Sequence, residues 1–308
     1  MDQNSINIIA DHVPERLKTP LTRAVTSICD KVTEIVLRAD RPLCVYESKR
    51  LYFVTEKGYL TDSIHANDLL TVSSKEVDQT VLLLCRYSVY AYQHEINNGY
   101  ITIGGGVRVG LCGQAVMTDG QVTNVRDIST LCFRVAREVK GCATQLLSMI
   151  RPFGGVLICG VPGSGKTTLI RDMARQLSYT CRVSAADERC ELSACSYSGG
   201  RGFDMGLCDV YAGYPKGVAA RQAIRSTAPE IIVCDEIGDR NDAELLMYSL
   251  RCGVSFIATV HAASMADLRG RQVTERLIDT GAFRYIVFLK NDTVGKIDRI
   301  YEMTDSRG

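Results

Sequence analysis

One stretch constrains this 308-residue chain more than any other. Gly160-Val161-Pro162-Gly163-Ser164-Gly165-Lys166-Thr167 fits G-x-x-x-x-G-K-[ST] in full, directly after the apolar run Val156–Cys159 and before a helical pattern over 167–177. Strand, glycine-rich loop and helix in that order is the context the pattern requires. The glycines let the backbone wrap a phosphate closely with its N–H groups turned inward. The helix N-terminus adds partial positive charge. On this reading Gly160, Val161, Pro162, Gly163, Ser164, Gly165, Lys166, Thr167 and Thr168 form a phosphate cradle. Lys166 reaches the β- and γ-phosphates, and the Thr167 hydroxyl completes the shell of a Mg2+ ion.

The pattern around the loop sets the fold class. Short runs at 183–186, Ile231–Cys234, 254–259 and Tyr285–Leu289 are apolar but for Ser184, Ser255 and Thr259 rather than alternating, and helical stretches at 167–177 and 218–227 fall between them. Strands buried on both faces read this way, and strand–helix–strand succession implies right-handed crossovers and a mainly parallel sheet. This α/β pattern occupies 141–308, opened by a helix over 143–150. Residues 1–140 read as a smaller α+β domain. It has a helix over 21–32 and strands at 33–37, 43–46 and 51–55. A turn at Glu56-Lys57-Gly58 leads to another short strand, and one or two helices cover 68–97 with an interruption near 71–74. Two strands flank Gly104-Gly105-Gly106, and the join lies near 133–141.

Three strand ends carry chemistry. Ile231–Cys234 runs into Asp235 and Glu236: the first is placed to hold Mg2+, the second to orient and deprotonate an attacking water. The strand at 183–186 ends in Asp187-Glu188-Arg189 with Glu191 just beyond, so Glu188 and Glu191 are rivals for the general base. Ligands of open α/β sheets bind outside the carboxyl ends of the strands, where these acids lie. The strand at 254–259 ends in Thr259-Val260-His261, placed to bond a γ-phosphate or a catalytic carboxylate.

Composition excludes several classes. Apolar residues are 46% and charged residues 23%, which rules out wholesale disorder. Lys and Arg number 36 against 35 Asp and Glu, so no bulk attraction to nucleic acid or anionic lipid exists. Thirteen cysteines lie scattered in apolar stretches without a C-x-x-C pair, and read as reduced thiols. Residues 1–10 are polar and acidic, unlike a secretory signal, and no apolar run reaches the 18 or so residues that span a bilayer. The expectation is a cytoplasmic chain, peripheral to any membrane.

Longer stretches are familiar. Ile224-Arg225-Ser226-Thr227-Ala228-Pro229-Glu230-Ile231-Ile232-Val233-Cys234-Asp235-Glu236-Ile237-Gly238-Asp239 resembles the Walker B region of the type II and type IV secretion ATPases. Asp187-Glu188-Arg189-Cys190-Glu191 resembles their acidic box, and Ala258-Thr259-Val260-His261-Ala262 their histidine box. Four boxes in family order are far more specific than one. Upstream, Tyr87-Ser88-Val89-Tyr90-Ala91-Tyr92, Gly110-Leu111-Cys112-Gly113, Val125-Arg126-Asp127-Ile128-Ser129 and Phe133-Arg134-Val135-Ala136-Arg137-Glu138-Val139 resemble the stage III sporulation protein AA family.

The resemblance implies a RecA-like P-loop core and a Mg2+-dependent ATPase assembled as a homo-oligomeric ring, a hexamer. It implies a mother-cell cytoplasmic motor that works through membrane proteins of the channel complex between mother cell and forespore, with no stable nucleic-acid partner. His261 would sense the γ-phosphate. Such rings close their sites with an arginine from another domain or subunit. Arg108, Arg126, Arg134 and Arg137 are candidates, and similarity favours Arg126 and Arg134. One departure stands out: Asp235-Glu236 occupies the place of the usual Gly-Glu. That favours Asp235 for Mg2+ and Glu236 for water, and weakens carry-over of the acidic box's catalytic role to Glu188.

The stretch 198–217, with Arg201, Tyr211, Tyr214 and Lys216, shows little periodicity. It reads as a subunit-contact or pore-facing loop, with a single-strand nucleic-acid surface as the alternative. Two other functions stay open: a nucleic-acid-stimulated ATPase on the same core, and an assembly scaffold that uses ATP binding as a switch.

Overall fold

The computed structural model describes residues 3–29, 31–47, 49–135, 138–150, 154–195, 202–238, 240–270, 272–279 and 281–303. They fall into two compact units, Met1–Arg137 with Ala194–Gly202 and Glu138–Ser193 with Phe203–Gly308.

The first unit begins with helices α1 (Gln3–Asp11) and α2 (Glu15–Thr26). Strands β1 (Val32–Arg38), β2 (Arg41–Pro42), β3 (Cys44–Glu47), β4 (Arg50–Val54), β5 (Leu60–Thr61) and β6 (Thr71–Val72) follow. Helices α3 (Ser74–Leu84) and α4 (Gln93–Asn97) precede β7 (Tyr100–Ile103), β8 (Val107–Thr118) and β9 (Gln121–Val135). Seven strands make one antiparallel sheet in the order β5-β4-β3-β1-β9-β8-β7, and β2 pairs with β6. Alternation along β1 sorts its side chains between two cores. Ile35 and Leu37 join Leu17 and Leu21 of α2 and Val77 and Leu84 of α3, while Val36 meets Cys44 and Phe53 on the other face. A reciprocal cap starts α3: the Ser73 hydroxyl accepts from the Glu76 N–H, and the Glu76 carboxylate accepts from the Ser73 N–H at 2.9 Å.

The second unit contains α5 (Thr144–Met149), β10 (Val156–Cys159), α6 (Lys166–Leu177), β11 (Val183–Asp187), β12 (Asp209–Ala212) and α7 (Lys216–Ser226). It continues with β13 (Ile231–Cys234), α8 (Arg240–Arg251), β14 (Ser255–Val260), α9 (Met265–Arg269), α10 (Gln272–Asp279), β15 (Tyr285–Leu289) and β16 (Ile297–Glu302). Its sheet runs β12-β11-β13-β14-β10-β15-β16, parallel except for β16. The apolar strands read as such because helices cover both faces. Leu157, Cys159, Ile232 and Phe256 pack with Ala219 of α7 and Leu268 of α9. The alternate residues Val156, Ile158, Val233 and Ile257 pack with Leu146 of α5 and Ile170 and Met173 of α6.

Four regions differ from the sequence pattern. The spacing of Leu21, Val25, Ile28 and Val32 comes from burial in one core rather than from one helix, since α2 ends at Thr26 and Val32 opens β1. Thr71–Val72 is a strand paired with Arg41–Pro42, not an interruption within a helix. Strands β8 and β9 extend well past the short strand expected and into the expected join. Most of residues 112–129 are solvent-exposed, so no apolar period marks this ribbon. Strand β12 lies at the sheet edge, half-exposed, inside the stretch that shows little periodicity. Of that stretch, Arg201 lies outside the described residues. Among the described residues, no helix is long and apolar enough to cross a membrane.

Candidate nucleotide site

Adjacent strand ends build the site. Paired register sets Cys159 beside Val260 and Cys234 beside Ala258, so the segments leaving β10, β14 and β13 emerge side by side, with that of β11 next to β13. Cys159 and Cys234 act there as small buried hydrophobes, with burial pushing both thiols up to about 12.

The loop after β10 needs its glycines. Gly163 and Gly165 adopt positive φ, and a Cβ on Gly165 would press on the backbone of Gly295, whose N–H donates to the Ser164 carbonyl at 2.8 Å. The Ser164 hydroxyl is buried with no hydrogen-bond partner among the described residues. Pro162 and Gly163 are exposed and Val161 half-buried. The Thr168 carbonyl accepts from the Cys142 thiol at 3.7 Å. Lys166 is buried. Its ammonium donates to the carbonyls of Gly160 and Val161 at 3.0 Å each and faces His261 Nδ1 at 3.0 Å. Burial pulls its pKa below the ordinary lysine value, against the carboxylates of Asp235 and Glu236. An ammonium can only donate, so Nδ1 of His261 accepts and Nε2 carries the proton. Nε2 then points to Glu236 Oε1 at 3.4 Å.

Asp235 is gripped from the first turn of α6 and from β14. Thr167 Oγ1 donates to its Oδ2 at 2.7 Å, and Thr259 Oγ1 donates to its Oδ1. The same Thr259 oxygen accepts from the Glu236 N–H at 2.8 Å. Glu236 sits at φ 52, a left-handed conformation that costs a residue with a side chain about 1–3 kcal/mol. Its carboxylate meets Arg189 Nη1 at 2.9 Å. Glu188, Glu191, Asp235, Glu236, Arg189 and Lys216 line one small cleft.

The acid preceding Glu188 has a structural task. Asp187 is buried and accepts from the N–H groups of Leu192 and Ser193 and from the Ser193 hydroxyl at 2.6 Å. Buried Arg171 of α6 donates to the carbonyls of Glu191 and Leu192 at 2.7 Å each, tying the acidic turn to the loop helix. Neither Arg171 nor Lys216 stands out in sequence as part of the site. Lys216 turns inward rather than toward a loop surface: its side chain is 16% exposed and donates to the Glu236 carbonyl. Arg126 and Arg134 belong to the first unit, on β9. Arg126 is exposed, and Arg134 pairs with Glu34 at 3.0 Å.

Magnesium binds through one or two protein oxygens, adding phosphate oxygens and several waters. One threonine hydroxyl beside a carboxylate that two hydroxyls hold in place, Thr167 and Asp235, suits it.

The strand order and the loop define a RecA-like P-loop core preceded by an α+β unit. The fold agrees with that of the Yersinia pseudotuberculosis ATPase DotB, at TM-score 0.59 and 16% identity over 95% of this chain and 80% of that one. The pilus retraction motor PilT, solved with bound ADP, matches at TM-score 0.55 and 16% identity over 86% and 76%. The chain belongs to the family described as sporulation stage III, protein AA, whose model matches residues 3–308. It is 33% identical to stage III sporulation protein AA of Bacillus subtilis (strain 168), over 96% of this chain and 95% of that protein.

Proposed function

We propose that this chain hydrolyses ATP with Mg2+ and, as a homo-oligomeric ring of six, energises a membrane complex of sporulation from the mother-cell cytoplasm. The observation that carries the reading is the 2.7 Å bond from Thr167 to Asp235, which joins the phosphate loop to a second strand end where Glu236 follows. Family membership supports the sporulation role. DotB is called an ATPase and PilT a motor with bound ADP, which supports the chemistry by analogy of fold.

Thr167 and Asp235 would hold the Mg2+, which when bound withdraws charge from the phosphate oxygens. Lys166 turns from its carbonyl partners to the β- and γ-phosphates. Glu236 takes a proton from water as the water oxygen bonds to the γ-phosphorus and the bond to the bridging oxygen breaks, releasing ADP. His261 bridges Lys166 to Glu236 and so reports the γ-phosphate to the base. Glu188 and Glu191 of the acidic turn line the same cleft and are the rivals for the base. An arginine from a neighbouring subunit would neutralise the transferred group. Arg126 suits this better than Arg134, which would first have to leave Glu34. The membrane proteins that dock the ring are its partners, and nucleic acid is not.

The test is phosphate release per subunit against protein concentration, with mass by light scattering at each point. Turnover per subunit should rise as the ring assembles. Constant turnover in a monomer at every concentration would remove the shared-site motor.

A further inference from the structure

Lys216 is oddly placed. It opens α7, where the helix dipole disfavours a cation, and its side chain is largely buried. Its ammonium lies 2.5 Å from the Glu236 carbonyl oxygen, 3.6 Å from Asp242 Oδ2 and 3.9 Å from Glu188 Oε2. Asp242 Oδ2 also accepts from the Gly238 N–H at 2.9 Å, so the lysine and its counter-ion bracket the turn that leaves β13. Within that turn Glu236 is left-handed. Its N–H is fixed by Thr259 and its C=O by Lys216, so both peptide groups that aim its carboxylate are held.

We propose that Lys216 is a positioning residue. It locks the strained backbone of Glu236 so that the carboxylate stays aimed into the cleft, and through Glu188 it ties the acidic turn to the same point. The proposal rests on the reading of Glu236 as the base. A base shifted by a fraction of an ångström still lets nucleotide bind but no longer meets the water. The lysine's loss should therefore appear in kcat and not in affinity.

The experiment uses the full chain, with phosphate release for kcat and a fluorescent ATP analogue for Kd. Lys216→Met should lower kcat by about 10- to 100-fold. Its Kd should move by less than about twofold, since ground-state binding is untouched. Lys216→Arg should recover much of the rate. Lys216→Gln, polar but too short to span to the carbonyl, carries the same expectation as methionine should that variant fail to fold. Lys216→Met combined with Glu236→Gln should be no slower than Glu236→Gln alone, because the two act as one unit. Losses that multiply in the double variant, or a Kd that rises in step with the fall in kcat, would overturn the proposal. A slow Glu236→Gln beside a fully active Lys216→Met removes the lysine's role and leaves Glu236 standing. Wild-type turnover in Glu236→Gln removes both.

Discussion

Thr259 carries a single hydroxyl on which both neighbouring acids depend. Its hydrogen goes to Asp235 and its lone pair receives the Glu236 N–H, all in a side chain with no solvent exposure. Thr259→Val keeps the shape and leaves a carboxylate oxygen and an N–H unpartnered, a loss of about 1–3 kcal/mol. A lower denaturant midpoint should follow, with Thr259→Ser restoring it, and an unchanged midpoint in the valine variant would show the bonds to be dispensable. The sequence makes Thr259 legible as a polar residue ending an apolar strand, and His261 likewise. It cannot say that one faces Asp235 and the other bridges Lys166 to Glu236, because side-chain direction follows from the register of β14 between β13 and β10. Lys216 was illegible for a different reason. Its neighbours Tyr214, Pro215 and Gly217 read as loop, and a lysine at a helix start goes against the usual charge preference.

Among the elements of the first unit, α2, α3 and β6 meet at one ion pair. Arg16 donates to both oxygens of Glu76, at 2.8 and 2.9 Å, and to the Thr71 carbonyl at 2.6 Å. The Arg16 hydrogen bond, with help from Ser73, lowers the Glu76 pKa from 4.5 to about 2. A carboxylate whose pKa is depressed by folding adds stability that is complete above its ordinary value and disappears as pH falls to the folded one. Wild type should therefore melt above Glu76→Gln by a constant margin near pH 6, with the margin closing between about pH 4.5 and about 2. A margin that does not change with pH would show that the pair contributes nothing through ionisation. The reading of helix over 68–97 does not place the start of α3, although the reciprocal cap between Ser73 and Glu76 sets it in the structure. The central parallel strands are legible because burial on both faces leaves them mostly apolar rather than alternating. Strand β12 and the outer half of the β8–β9 ribbon are not, because the burial that writes a pattern is missing there.

Over the whole molecule the two units follow different rules. One is an antiparallel sheet whose alternation divides two cores, the other a parallel sheet buried under helices on both faces. The candidate site lies in the second, where four strand ends gather a phosphate loop, a gripped Asp235, a bridged Glu236 and the acidic turn. On the proposed reading this gathering is a Mg2+-ATP hydrolysis site with Glu236 as its base. The direct test is Mg2+-dependent phosphate release from ATP by the full chain, wild type beside Glu236→Gln, after each is shown to bind a fluorescent ATP analogue. Both should bind, and the variant should release phosphate at least about 100-fold more slowly, the scale of a lost general base. Equal release by the two proteins would show that Glu236 is not the base.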